Sequence, residues 1–128
     1  HIVAGGQPAG ISIHQNAIKE CFEEAGIPKD MLIRTNNILK PVGAVSYESY
    51  AKKSDTISRA VLFCYDLELE HFVPTPVDGE VENFFLWDIE TDLLPSMAPD
   101  YPDPIKPNCY IVIIDYLMRA GYIDPDAP

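Results

Sequence analysis

Positive charge is scarce in this chain. Nine Lys and Arg stand against twenty Asp and Glu, for a net charge of −11 at pH 7. A field of that sign repels a phosphate backbone, so binding of nucleic acid by charge is excluded. Phosphates can still be handled where a divalent cation stands between them and the protein, because a bound ion reverses the local charge. Long apolar runs are missing too. The stretch from Tyr110 to Ile114 is interrupted at Asp115 and continues only to Met118, well short of the roughly 20 residues a membrane span needs. Cysteine is sparse and odd in number. Cys21, Cys64 and Cys109 are too widely separated for a zinc site or a disulfide framework. A reducing compartment follows, either the cytoplasm or an organellar stroma or matrix. No signal peptide is read before the first helix, and the chain opens His1-Ile2-Val3-Ala4 without an initiator Met, as a processed or excised piece, or one that simply begins late, would.

What is present suffices for one core. With 128 residues, 47% of them hydrophobic and 23% charged, the composition is that of a single globular domain over residues 1–128. Ile2 to Gly10 is a glycine-rich loop. Ser12 to Ala25 is an amphipathic helix, with Ser12 as N-cap and Gly26 followed by Pro28 as the stop. At 3.6 residues per turn, Ala17, Ile18, Cys21, Phe22 and Ala25 share one stripe, and Glu20, Glu23 and Glu24 lie opposite it. Leu39 to Tyr50 and Ile57 to Leu69 read as strands of a hairpin around a polar turn, and Val81 to Asp88 reads as a third strand after the Asp78-Gly79 turn. Ile89 to Met97 is a short helix or a turn. Five prolines between Pro95 and Pro107 make a stiff loop, and Asn108 to Ala120 forms a final helix closed by Gly121. Helix, three strands, helix is an α/β order that suits a mixed sheet with helices on its faces.

The acidic face of the first helix is the most informative feature. Glu20 and Glu24, four residues apart, repel each other by a few tenths of a kcal/mol. A hard cation that takes oxygen ligands and keeps several waters would offset that repulsion. A merely solvated face is the alternative reading of the pattern alone, since most charge runs are exposed.

The spacing here resembles the Nudix box: a glycine, five residues, Glu, seven residues, then Arg-Glu-aliphatic-x-Glu-Glu-x-Gly-aliphatic. Gly5 opens it, Lys19 stands in the arginine place, Glu20 in the first ligand place and Cys21 in an aliphatic place. Glu23 and Glu24 form the acidic pair, and Gly26-Ile27 close the box. Ile11 replaces the early Glu. AGGQPAGIS, IKECFEEAGIP, PVGAVSYE, DGEVENFFLW and IKPNCYIVIIDYLMRAGYI, in that order, are similar to the thiamine-pyrophosphokinase-related branch of the family, in which both departures are normal.

The resemblance implies a Nudix-type α/β/α sandwich with a mixed sheet, here lacking the N-terminal strands that ordinarily precede the box. It implies hydrolysis of a small-molecule organic diphosphate with Mg²⁺ (or Mn²⁺) as cofactor, the ion acting as Lewis acid and template. The implied metal ligands are Glu20, Glu23 and Glu24, with the carbonyl of Ala4. The base that activates water is implied to come from the box, at Glu23, or from a later acidic loop, at Glu80 with Glu82 as runner-up. Gly5, Gly6 and Tyr47 are the substrate-contact candidates. Oxidised or damaged thiamine diphosphate, cleaved to the monophosphate, is the implied substrate, and ADP-ribose or another nucleoside diphosphate derivative is the alternative. A Nudix-fold binding module without turnover and a generic acidic interaction domain are the competing classes. Among other residues, His14 and Cys21 are expected in the core and His71 at the surface. Trp87, Tyr47 and Tyr50 offer stacking surfaces, and Lys52, Lys53 and Arg59 form the one basic cluster.

Overall fold

A computed structural model describes residues 2–34 and 39–126. In chain order it holds α1 (Ile13–Ala25), α2 (Lys29–Arg34), β1 (Leu39–Ala51), β2 (Thr56–Leu67), a π-type turn (Ile89–Leu93), α3 (Leu94–Ser96) and α4 (Pro107–Arg119). The chain divides into two compact units. One comprises residues 2–42 and 65–86, the other residues 43–64 and 87–128 with residue 1.

The first helix begins where its sequence dictates. Ser12 Oγ accepts from the Gln15 N–H (3.1 Å) and Gln15 Oε1 accepts from the Ser12 N–H (2.9 Å), a reciprocal capping box that satisfies two otherwise orphaned donors. It ends at Gly26, whose φ of +66° is left-handed backbone that a side chain would strain. The Gly26 N–H then reaches back to the Phe22 carbonyl (3.0 Å) and the Ile27 N–H to the Cys21 carbonyl (3.1 Å), which satisfies acceptors the helix end leaves open, and Ile27 is buried against the same core.

Ile18, Cys21 and Ala25 of α1, Ile27 after it, Leu32 of α2 and Leu39 at the start of β1 form the core of the first unit. Tyr65, Leu67, Leu69, Phe72 and Phe84 pack around them. The expected apolar stripe is thus in place with one correction. Phe22 is 42% exposed, with the Lys29 ammonium 5.0 Å from its ring centroid. It stands at the rim of the stripe, and Leu32 of α2 joins the core instead. The sequence reading assigned no helix there, because six residues hold too little periodicity to announce one.

β1 and β2 pair with each other as a hairpin, and the four-residue connection between them permits only antiparallel pairing. Along β1 the inward rhythm shifts at Gly43, whose φ is +140°: Val42 and Val45, three apart, are both half-buried, and Tyr47 continues inward from Val45. On β2, Ile57, Val61 and Phe63 are exposed while Cys64 faces inward.

Two expectations need correction. The sheet among the described residues has two strands, so no mixed sheet is formed. Val81 to Asp88 is not a strand. It has the β-branched and aromatic composition of one, but a strand exists only through a ladder, and among the described residues the one ladder is that of β1 and β2. It runs as irregular chain that buries Val81, half-buries Phe84 and leaves Leu86 fully exposed.

In the second unit, α4 starts at Pro107 as expected and buries Cys109 and Leu117. The segment expected as a short helix or turn is helical: the π-type turn runs directly into α3 and is capped by Asp88, whose carboxylate accepts from the Glu90 and Thr91 N–H groups (both 2.9 Å). Those bonds hold the Asp88 carboxyl below the usual range, Thr91 contributing most. No helix among the described residues is long and apolar enough to cross a membrane.

Candidate active site

Three consecutive residues of the N-terminal loop meet three successive turns of α1. The Ala4 N–H donates to Glu24 Oε2 (3.3 Å). The carboxyl group of Glu20 fills the space that a Cβ on Gly5 would occupy. Asn16 Nδ2 donates to the Gly6 carbonyl (3.2 Å). Because Asn16, Glu20 and Glu24 are spaced by four, they form one stripe along the helix, and the loop runs antiparallel along it. Gly5 is therefore required for room. Nothing lies within 4 Å of where a Cβ on Gly6 would stand.

A second segment is fastened to the other end of α1. The Thr75 N–H donates to the Ala25 carbonyl (3.1 Å), one of the acceptors a helix C-terminus leaves open. Thr75 Oγ1 and Val77 Cγ2 lie close over Gly26. The chain then turns at Asp78-Gly79, where Asp78 Oδ1 accepts from the Glu80 N–H (2.9 Å). This anchoring brings Asp78 and Glu80 into the electrostatic neighbourhood of Glu24.

Glu24 is the centre of the arrangement. It is 3% exposed, the one buried charged residue among those described. Burial pushes its carboxyl up from the usual range, the Ala4 N–H draws it partly back, and the negative charges of Glu20, Asp78 and Glu80 push it up further. Its place on the buried side of α1 differs from the acidic face expected. Glu24 adjoins Ala25 at the helix end, where the loop around Ala4 closes over it.

Glu23 is directed elsewhere. Lys19 Nζ lies 2.6 Å from Glu23 Oε2 and 3.0 Å from Glu20 Oε1, so one ammonium bridges two of the box carboxylates. Those two bonds, Glu23 first, push the Lys19 ammonium up to about 12. Lys19 thereby does by point charge what an arginine in this place could do with a fork. Cys21 lies beneath, buried, its thiol pushed up to about 11 by burial and then by Glu24 and Glu20. That excludes it as a nucleophile near neutral pH. His14 is exposed rather than packed, its ring 5.8 Å from that of Tyr65. His71 is exposed, as expected.

The structure thus brings together Ala4, Gly5, Glu20, Glu24 and the charge of Glu80, with Glu23 tethered through Lys19. Tyr47 belongs to the other unit and is half-buried on β1. That unit also has a concavity of about 360 Å³ lined by Trp87, Asp88, Ile89, Glu90 and Tyr122. Its lining has two acidic and no basic side chains, so it offers a diphosphate no counter-charge. Sequence reasoning missed Asn16 and Asp78. Asn16 was signalled by its place one turn before Glu20, and Asp78 by the turn it forms with Gly79.

Among the described residues, no three Asp, Glu, His or Cys side chains are grouped to hold an ion between them. A magnesium-type site needs no such cage. It takes one or two carboxylates, keeps its waters and leaves room for substrate phosphates. Glu20 and Glu24, oxygen donors on one stripe whose charges act on each other, fit that description.

No protein-family model matches the chain. Over its whole length it is 45% identical to "Nudix hydrolase 24, chloroplastic" of Arabidopsis thaliana, and over 99% of its length 46% identical to "Nudix hydrolase 20, chloroplastic" of the same plant. It is 35% identical over 98% of its length to an uncharacterized protein of Saccharomyces cerevisiae. The chain spans about a third of the length of these relatives: 33%, 32% and 38%. Whole-chain identity to two proteins named Nudix hydrolases supports the Nudix resemblance of the box residues.

Proposed function

We infer that this chain is the box-bearing part of a Nudix hydrolase that cleaves a small organic diphosphate with the help of a divalent cation. The observation that carries the reading is Glu24: a nearly fully buried carboxylate among three other negative charges, oriented by a backbone N–H. Burying a carboxylate beside other negative charges without a counter-ion is costly, and a site that gathers them is built for one.

Glu20 and Glu24 hold the ion in this reading. Mg²⁺ or Mn²⁺, when bound, would neutralise diphosphate oxygens and polarise the attacking water. The Ala4 N–H keeps Glu24 in a fixed orientation, and Gly5 lets Glu20 approach the loop. The carbonyl of Ala4 is a further oxygen within the same loop. Lys19 ties Glu23 to Glu20, which leaves Glu23 to steady the helix face. Glu80 is then the better candidate to accept the water's proton. It is exposed, stands at a turn fixed by Asp78, and acts electrostatically on Glu24. Gly5 and Gly6 are proposed to touch substrate.

For the substrate we propose thiamine diphosphate in oxidised or damaged form, on the motif resemblance alone. ADP-ribose or another nucleoside diphosphate derivative is the alternative. Two relatives carry "chloroplastic" in their names, which favours an organellar stroma. Phosphate release from a panel of diphosphates, with and without Mg²⁺, tests the reading. Turnover should require the cation, and Glu24→Gln should lower it by about two orders of magnitude or more. The same variant should melt at a higher temperature in the absence of cation, because it removes a buried charge that its neighbours repel. Wild-type turnover in Glu24→Gln, or none by the parent protein on any diphosphate, would leave a non-catalytic binding module as the better reading.

A further inference from the structure

Asn16 is 6% exposed, and its two polar atoms have unequal fates. Nδ2 donates to the Gly6 carbonyl, but Oδ1 is fully buried and has no hydrogen-bond partner among the described residues. Turning the amide over does not help, since it would set the amide oxygen against the Gly6 carbonyl oxygen. A buried acceptor left unmade carries a penalty that native structures rarely accept, so such an atom points to a donor not supplied by the protein. Its position narrows the donor. Asn16 sits one helical turn before Glu20, and the loop residue it holds, Gly6, adjoins the glycine against which the Glu20 carboxyl rests. The next turn brings Glu24. The one orphaned oxygen thus heads the stripe whose other two members are carboxylates.

We propose that Asn16 Oδ1 accepts a hydrogen bond from a water in the coordination shell of a divalent cation held by Glu20 and Glu24, and so positions the ion against the loop. The proposal rests on the cation reading above and adds to it a neutral, outer-sphere partner. The chemistry suits the ion. Magnesium-type cations retain several waters, and a coordinated water is polarised into a strong donor that an amide oxygen can accept. Removing such an outer-shell partner typically lowers metal affinity about 10- to 100-fold. Nδ2 holds the loop in register at the same time, so one side chain couples loop position to ion position.

The test is Mn²⁺ affinity, read by the electron paramagnetic resonance signal of free Mn²⁺, together with the melting temperature of each variant without metal. Asn16→Leu removes both functions and should weaken Mn²⁺ binding by about tenfold or more. Asn16→Asp loses the donor to Gly6 but keeps an acceptor oxygen and adds charge. It should melt lower than the parent yet bind Mn²⁺ at least as tightly. Should both variants melt lower with Mn²⁺ affinity unchanged, Oδ1 serves an isolated buried water or the fold alone, and the proposal is overturned. Loss of affinity in both, in step with melting temperature, overturns it as well. Glu24→Gln separates the two levels of the reading. If that variant binds Mn²⁺ normally, the cation site itself is wrong. If it loses Mn²⁺ while Asn16→Leu does not, only the role of Asn16 fails.

Discussion

Replacing Gly5 by alanine separates the fold from the site. The added methyl would fall inside the carboxyl group of Glu20, too close for any real Cβ contact. Carbon atoms rest comfortably about 3.5–4 Å apart, so the Glu20 carboxyl must retreat by roughly an ångström or more. The atoms that must move are the far end of a flexible side chain that is already paired with Lys19, and not backbone. The expected loss of stability is therefore below about 1 kcal/mol, smaller than the 1–3 kcal/mol typical of overpacking a rigid core. The loss of function should be much larger. An ångström of misplacement in a positioned group can cost about 100-fold in rate. The variant should melt within a few degrees of the parent, bind Mn²⁺ about tenfold more weakly, and turn over a diphosphate about 100-fold more slowly. Gly6→Ala is the internal control, since nothing stands within 4 Å of its added methyl. Equal effects of the two substitutions, or a Gly5→Ala protein with normal Mn²⁺ affinity and turnover, would refute the claim that Gly5 exists to admit Glu20.

Ser12→Ala removes the acceptor of the Gln15 N–H and half of the capping box, and should destabilise the chain by about 1 kcal/mol in thermal or urea unfolding. Asp88 gives a pH signature. Its folded pKa is depressed by the Thr91 and Glu90 bonds, so its contribution is present above the usual aspartate pKa and is lost as pH falls through the lowered folded value. The amide resonances of Thr91 and Glu90 should therefore hold steady down through the ordinary carboxylate range near about 3.9 and shift only below it. Cys21 should resist alkylation at pH 8 in the folded chain and react once denatured, because its thiol, pushed up to about 11, stays protonated and buried.

How much of this was legible depended on whether the cause was local. The first helix could be read from Ser12 and Gly26 because a cap and a stop act on their own neighbours, and the structure confirms both. The hairpin was legible for the same reason: a short polar turn leaves two strands no choice but each other. Val81 to Asp88 was not. Its composition suits a strand, but pairing depends on a distant partner, and propensity carries no information about whether one is at hand. α2 was too short to show a period, and the exposure of Phe22 beside it was not legible either. In the site, Gly5 and the box glutamates were found by spacing. The division among those glutamates was not, because Glu23 and Glu24 are adjacent in sequence. Only the loop that covers one and the lysine that reaches the other distinguish them.

That division explains why α1 tolerates its own charge. Three glutamates within five residues of one helix would repel each other if all were equally placed. The structure treats them differently. Glu23 is neutralised at the surface by Lys19, four residues earlier, in an exposed pair that contributes little to stability. Glu20 shares that ammonium and otherwise leans on a glycine. Glu24 alone is buried, with a single weakly placed backbone donor and three negative neighbours, two of them delivered by a turn that Thr75 fastens to the end of the helix. Local repulsion has thus been relieved everywhere except at one buried carboxyl. A fold that selected only for stability would have relieved it there as well, since glutamine fits the same space and keeps the Ala4 bond. Retaining a charge at the one position where it costs most is the mark of a group kept for what it holds, and stability lost at such a position is the usual companion of activity.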